Sequence, residues 1–144
     1  DQARYGMPEP YHRTAFLGRV VLLCNERTGS DGEYFSTGFR YMGLGPSVGT
    51  RTWGGYMAVG GFAAIDGGMV SCPQQGSFTP EGKWLPDGYG FNPDHVVEDD
   101  PNAFVAGRDP QLDTAIALLK EEIRKNPPRW PKRLPPPSAE KAFK

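Results

Sequence analysis

Within residues 25–35, NERTGSDGEYF, Ser30 stands between a glycine and an acidic stretch ready to form a helix, with Glu33 three residues on. Two chemistries suit a serine there. One is structural: S-x-x-E is the capping box, in which hydroxyl and carboxylate satisfy unpaired N–H groups of the first helical turn. The other is nucleophilic. A serine at a strand-to-helix turn has unpaired N–H donors and the positive end of a helix dipole beside it, which is what a developing oxyanion needs. An activated serine also requires a base within hydrogen-bond reach, and the chain holds two histidines, His12 and His95. His12 falls in a proline-bearing leading segment and His95 at the start of a strand after Pro93-Asp94, so both read as structural or surface histidines.

The remaining reactive groups read plainly. Cys24 and Cys72 are too few and too far apart for a disulfide framework or a metal site. Cys24 ends an apolar run and reads as a small buried residue. Asp94, Glu98, Asp99 and Asp100 read as a solvated strand exit in preference to a cation site. "TRTWGG" lacks the glycine spacing of a phosphate loop, and no cofactor or metal is expected. Trp53, Trp84 and Trp130 read as packing anchors. The formal charge of −1 gives no general attraction to nucleic acid or to an anionic membrane, and no apolar run approaches the ~20 residues of a membrane-spanning helix.

The elements that must position Ser30 follow from local pattern. VVLLCN, 20–25, is a short continuous apolar run, the pattern of a strand buried on both faces. Ser30 to Met42 fits a helix stopped by Gly43, with Tyr34, Phe35, Gly38, Phe39 and Met42 near one face. Phe62–Ile65 and Met69–Cys72 flank Asp66-Gly67-Gly68, a hairpin signal. Residues 73–88 read as a loop or short edge hairpin. In RDPQLDTAIALLKEEIRK, Asp109 caps a helix with Pro110 at its first position, and Leu112, Ala115, Ile116, Leu119 and Ile123 form one stripe. Residues 1–18 read as a connecting loop or the end of a preceding segment. The tail 126–144, with six prolines and five Lys or Arg, reads as extended and draped over a partner. The class is α/β with local antiparallel pieces. Nineteen glycines, fifteen prolines and 38% hydrophobic residues point to a thin core that leans on a partner.

NERTGSDGEYF, LGPSVGTRTWGG, IDGGMVSCP, YGFNPDHVVEDDP and GRDPQLDTAIALL occur in that order. As an ordered set they resemble the C-terminal half of the catalytic domain of the tricorn protease family, within the tail-specific, C-terminal-processing serine peptidases. The resemblance covers roughly residues 18–125. It implies part of a ClpP/crotonase-like core of strand-strand-helix units, with 19–125 the C-terminal part of the catalytic domain. Ser30 matches the nucleophile of an N-E-x-x-x-S-D-G-E pattern, and Asp31 the residue whose N–H contributes to the oxyanion hole. Where the lysine-based relatives carry Phe-Gly-Lys-Gly, this chain has Trp53, Gly54, Gly55 and Tyr56, and the tricorn branch uses histidine instead. Asp87 occupies the place of a relay glutamate in an E-N-x-G-V-x-P-D pattern, one methylene shorter and followed by Gly88. A turn aspartate before glycine explains it equally well.

In the family the histidine lies upstream of the region this chain represents. The expectation is therefore a serine peptidase segment acting on peptides or proteins, whose base comes from a preceding segment or partner chain. A homo-oligomer, a cytoplasmic setting, and no nucleic-acid or membrane partner complete it. The rival is a non-catalytic crotonase-like module that binds a hydrophobic ligand or serves as an assembly subunit.

Overall fold

The computed structural model describes residues 1–2, 6–12, 14–127 and 131–135. β1 (Leu22–Cys24) leads through a tight turn into α1 (Asp31–Tyr41), which returns the chain to β2 (Ser47–Gly49), parallel to β1 with Leu22 opposite Ser47. A separate antiparallel ribbon follows, β3 (Ala58–Ala63) and β4 (Met69–Gln75). β5 (His95–Val96) joins the free side of β2 in parallel, so the main sheet runs β1-β2-β5. Two helices close the described fold, α2 (Pro101–Val105) and α3 (Pro110–Lys125), the latter against β1 and β2. The α/β class with a local hairpin is as the sequence led one to expect.

Local signals place these elements well. Asp109 Oδ1 accepts from Leu112 N–H at 2.9 Å with Pro110 at the first helical position, a pairing that satisfies one first-turn donor and removes another. In the β3–β4 turn Asp66 Oδ1 accepts from Gly68 N–H at 3.0 Å. The strands run beyond the expected bounds, back to Ala58 and on to Gln75. Between Ser77 and Leu85 a short antiparallel bridge, Phe78 to Trp84, makes a small hairpin, one of the two readings of 73–88, whose first residues belong to β4.

Burial departs from the expectations. β1 alternates instead of being covered on both faces, with Leu22 and Cys24 inside and Leu23 outside. On α1 the buried positions are Glu33, Ser36 and Phe39, while Phe35 and Met42 face out. Hydrogen bonding makes that face tolerable, since Ser36 Oγ donates to Gly32 O at 2.7 Å and Glu33 is fully bonded. On α3 Gln111 and Ala115 are buried, whereas Leu112, Ile116 and Ile123 remain largely exposed. The core cluster is small: Leu22, Cys24, Phe39 and Phe91, with Val20 against it. Burial pushes the Cys24 thiol above its ordinary value, which leaves it an inert packing group. In the described part of the tail, Leu134 meets the chain's own Gln2, whose side chain brackets its N–H and carbonyl at 2.8 and 3.0 Å. The rest of the tail and Trp130 lie outside the described residues.

One polar clamp ties the last turn of α1 to the sheet. Asp94 accepts from Ser47 Oγ at 2.6 Å, Ser47 N–H at 2.9 Å and Arg40 at 2.8 Å, and Arg40 also lies over the Phe91 ring. Partial burial by itself would raise the Asp94 carboxyl. The Ser47 hydrogen bonds and the Arg40 charge outweigh it and hold the group below its ordinary value. A carboxyl lowered on folding stabilises above its unfolded value, about 4, and loses that contribution as pH falls through the lower folded value. Asp94→Ala should therefore lower the unfolding midpoint at pH 7, and the gap should shrink as pH drops below about 4. A gap that stays constant from pH 7 to pH 2 would count against the clamp.

Candidate active site

The turn between β1 and α1 is built by short-range bonds. Asn25 N–H donates to Thr28 Oγ1 at 3.1 Å, Arg27 N–H to Asn25 Oδ1 at 3.0 Å, and Thr28 N–H to Asn25 O at 2.9 Å. The chain then passes Gly29, where a Cβ would lie 2.5 Å from Trp53 Cε3. The indole is laid against the backbone just before Ser30, so any larger residue would have to displace it. Trp53 itself is 71% exposed, an aromatic surface beside the turn and not the packing anchor expected; Trp84 is equally exposed.

Ser30 is the N-cap of α1, with φ 50° and ψ −117°. Among the described residues it is the one non-glycine residue at positive φ. Such a conformation costs about 1–3 kcal/mol and persists only where the surroundings over-determine it. The capping box is present, and its glutamate half is the firm one, with Ser30 N–H donating to Glu33 Oε2 at 3.2 Å. The serine half is a looser approach than a hydrogen bond. Gly32 N–H donates to Gly29 O, and Glu33 and Tyr34 N–H donate to Ser30 O. From Ser30 to Tyr34, that leaves Asp31 N–H as the donor with no acceptor among the described residues.

A second segment, Thr52 to Met57, lies against this turn. Trp53 N–H donates to Thr28 O at 2.9 Å. Thr52 Oγ1 and the N–H groups of Gly54 and Gly55 donate to Glu33 at 2.5, 2.6 and 2.7 Å. The far end of the same segment meets Asp87, whose Oδ1 accepts from Tyr56 N–H at 2.8 Å and Met57 N–H at 3.1 Å. Gly54, at φ +97°, is crossed closely by Gly88 and Tyr89, and its carbonyl accepts from Gly88 N–H at 2.7 Å. Ser30 and Asp87 thus sit on opposite ends of one backbone run, with no direct bond between them. Beside Asp87 lies an open, mainly apolar cavity of about 300 Å³ bounded by Tyr56, Met57, Ser77, Trp84 and Leu85. A larger cleft, about 400 Å³, lies where Arg19–Val21 and Gly43–Pro46 meet α3, at the opening end of β1 and β2 instead of the carboxyl end from which the turn departs.

Neither histidine is hydrogen-bonded to Ser30: His12 stacks edge-on with Tyr11, and His95 lies in β5 opposite Val48. Among the described residues no group of three or more His, Cys, Asp or Glu is placed to hold a metal. Asp94 is engaged by Arg40, and Asp100 caps α2 through Asn102 N–H. No helix of the described residues is long and apolar enough to cross a membrane. Beyond capping, the role of Glu33 was not legible in the sequence. Its three further donors come from residues 52–55, and nothing in the spacing joins the two stretches.

Comparison with known proteins is consistent across sequence and structure. The chain is 36% identical to tricorn protease of Thermoplasma acidophilum over 94% of its own length and 12% of the relative's. It is also 36% identical to tricorn protease homolog 1 of Streptomyces coelicolor, over 94% and 13%. The crystal structure of the tricorn protease superposes with a TM-score of 0.78 at 37% identity, covering 86% of this chain and 12% of that one. The chain thus spans about one eighth of the length of the curated relatives it matches. The model of peptidase family S41 matches residues 1–97, and with these relatives it establishes that the chain belongs to peptidase family S41.

Proposed function

We propose that residues 19–125 form the C-terminal part of a tricorn-type serine peptidase catalytic domain, with Ser30 as nucleophile. The observation that carries this reading is the strained Ser30 backbone with an unclaimed donor, Asp31 N–H, immediately after it. Ser30 Oγ attacks the scissile carbonyl carbon while its proton passes to a histidine from a preceding segment or a partner chain. Asp31 N–H holds the tetrahedral oxyanion, and the histidine returns the proton to the leaving amine. Water then releases the acyl group from Ser30. The substrates are peptides or proteins, and the cavity beside Asp87 offers room for an apolar side chain. The small core and the many exposed large side chains, Phe62, Ile65, Met69 and Val70 of the β3–β4 ribbon among them, favour assembly with further copies or segments. Both cysteines are free thiols, which suits a cytoplasmic setting.

The test is labelling of the full-length protein by an active-site-directed fluorophosphonate, with the adduct mapped to Ser30. A folded full-length protein that stays unlabelled would favour the rival, a crotonase-like module that binds a ligand or serves assembly. Asp87 has a separate test. Its Oδ1 already serves Tyr56 and Met57, and Asn keeps that oxygen, so Asp87→Asn should fold as the wild type does. If the carboxylate orients the relay, kcat should fall at least about tenfold, short of the ~10⁴-fold that neutralising a triad carboxylate costs. Unchanged kcat would leave Asp87 a turn residue.

A further inference from the structure

Glu33 is more than a helix cap. A capping glutamate needs one bond, to the N-cap N–H, and usually stands in solvent. Glu33 is 0% exposed and collects four donors. Oε1 accepts from Thr52 Oγ1 and Gly54 N–H, and Oε2 from Gly55 N–H and Ser30 N–H. The Thr52 hydroxyl is itself held by Phe91 N–H, which donates to it at 2.7 Å, so its proton is directed to Glu33. A buried carboxylate is tolerable only when hydrogen-bonded in this way, and the α1 N-terminus adds favourable potential.

From this geometry we propose that Glu33 is a positioning residue for Ser30, an inference that rests on the peptidase reading of that serine. The carboxylate bolts the strained turn to the Thr52–Gly55 backbone, fixes the Gly29–Ser30 peptide plane and thereby aims the Ser30 hydroxyl. It also takes Ser30 N–H out of play, which leaves Asp31 N–H as the donor for a developing oxyanion. Four converging donors specify a carboxylate. The NH₂ of a glutamine would face a backbone N–H in either orientation: Gly54 at one end, Ser30 and Gly55 at the other.

The test compares wild-type and Glu33→Gln full-length protein, at a temperature where both are folded. The rate of fluorophosphonate labelling should drop about 100-fold, the cost of a nucleophile displaced by about 1 Å. The Kd of a non-hydrolysable reduced-amide peptide should change less than about threefold, because ground-state binding does not depend on the aim of the hydroxyl. A purely structural glutamate would weaken both together or neither, and either result overturns the proposal. Should Glu33→Gln fail to fold, amide hydrogen exchange on the wild type decides. The three amides held by Glu33, those of Ser30, Gly54 and Gly55, should exchange through one shared opening, with protection equal within about threefold, and independent exchange overturns the proposal. Wild type that folds but takes no label removes the peptidase reading by itself, and the exchange result then judges the bolt separately.

Discussion

Ser30→Ala in the full-length protein should abolish fluorophosphonate labelling and lower kcat by about 10⁶-fold, the scale on which serine peptidases lose their nucleophile. The size of the effect separates the two chemistries open to this serine. Losing an N-cap costs about 1 kcal/mol of stability, far too little to silence a folded enzyme. The firm half of the capping box here is Ser30 N–H to Glu33, which alanine retains, so the stability loss should be smaller still. Ser30→Gly sharpens the contrast. Glycine removes the hydroxyl and also the penalty of about 1–3 kcal/mol for a side chain at φ 50°. It should be as inactive as alanine while unfolding no earlier than the wild type, its extra backbone entropy cost being only about 0.5–1 kcal/mol. Cleavage by Ser30→Ala within tenfold of wild type would remove Ser30 from the chemistry.

What the sequence made legible was local. The Asp109-Pro110 helix start, the Asp66-Gly67 turn and the Ser30–Glu33 spacing each depend on residues within four of one another, and each is present as expected. The departures are tertiary. Phe35 and Met42 have the spacing of an apolar face, yet α1 buries Glu33 and Ser36 because the Thr52–Gly55 backbone supplies donors that no helical period announces. Leu23 lies in an apolar run that reads as covered on both sides, and here one side is open. Trp53 was expected to anchor packing, but it lies against Gly29 and Gly55 and is otherwise exposed. The site behaves in the same way. Its serine and its glycine follow from a motif, whereas the link from Ser30 through Glu33 and residues 54–57 to Asp87 exists only in the folded chain.

The second large effect concerns a single hydrogen atom. Four N–H groups at the start of α1 have acceptors: Ser30 on Glu33, Gly32 on Gly29, and Glu33 and Tyr34 on Ser30. Asp31 N–H has none among the described residues, and it belongs to the residue directly after the proposed nucleophile. Replacing the Ser30–Asp31 amide by an ester, through the α-hydroxy analogue of aspartate, deletes that donor and leaves every side chain in place. No N–H bond is deleted, but the Ser30 carbonyl becomes an ester acceptor that holds Glu33 and Tyr34 N–H more weakly, so the unfolding midpoint should fall by no more than in the Gly32 ester below. Labelling and kcat should nevertheless fall about 10²–10³-fold, the usual cost of one oxyanion donor. Two controls bracket the result. Asp31→Ala keeps the N–H and gives up only a carboxylate in the first helical turn, worth about 0.3–1 kcal/mol against the dipole, so turnover should stay within a few-fold. The ester at Gly32 breaks the bond to Gly29 O, so it should cost about 1 kcal/mol of stability and little activity. An Asp31 ester that labels at the wild-type rate would show that the oxyanion is held elsewhere. The unclaimed donor would then be an ordinary helix end, and the strain at Ser30 would need another explanation.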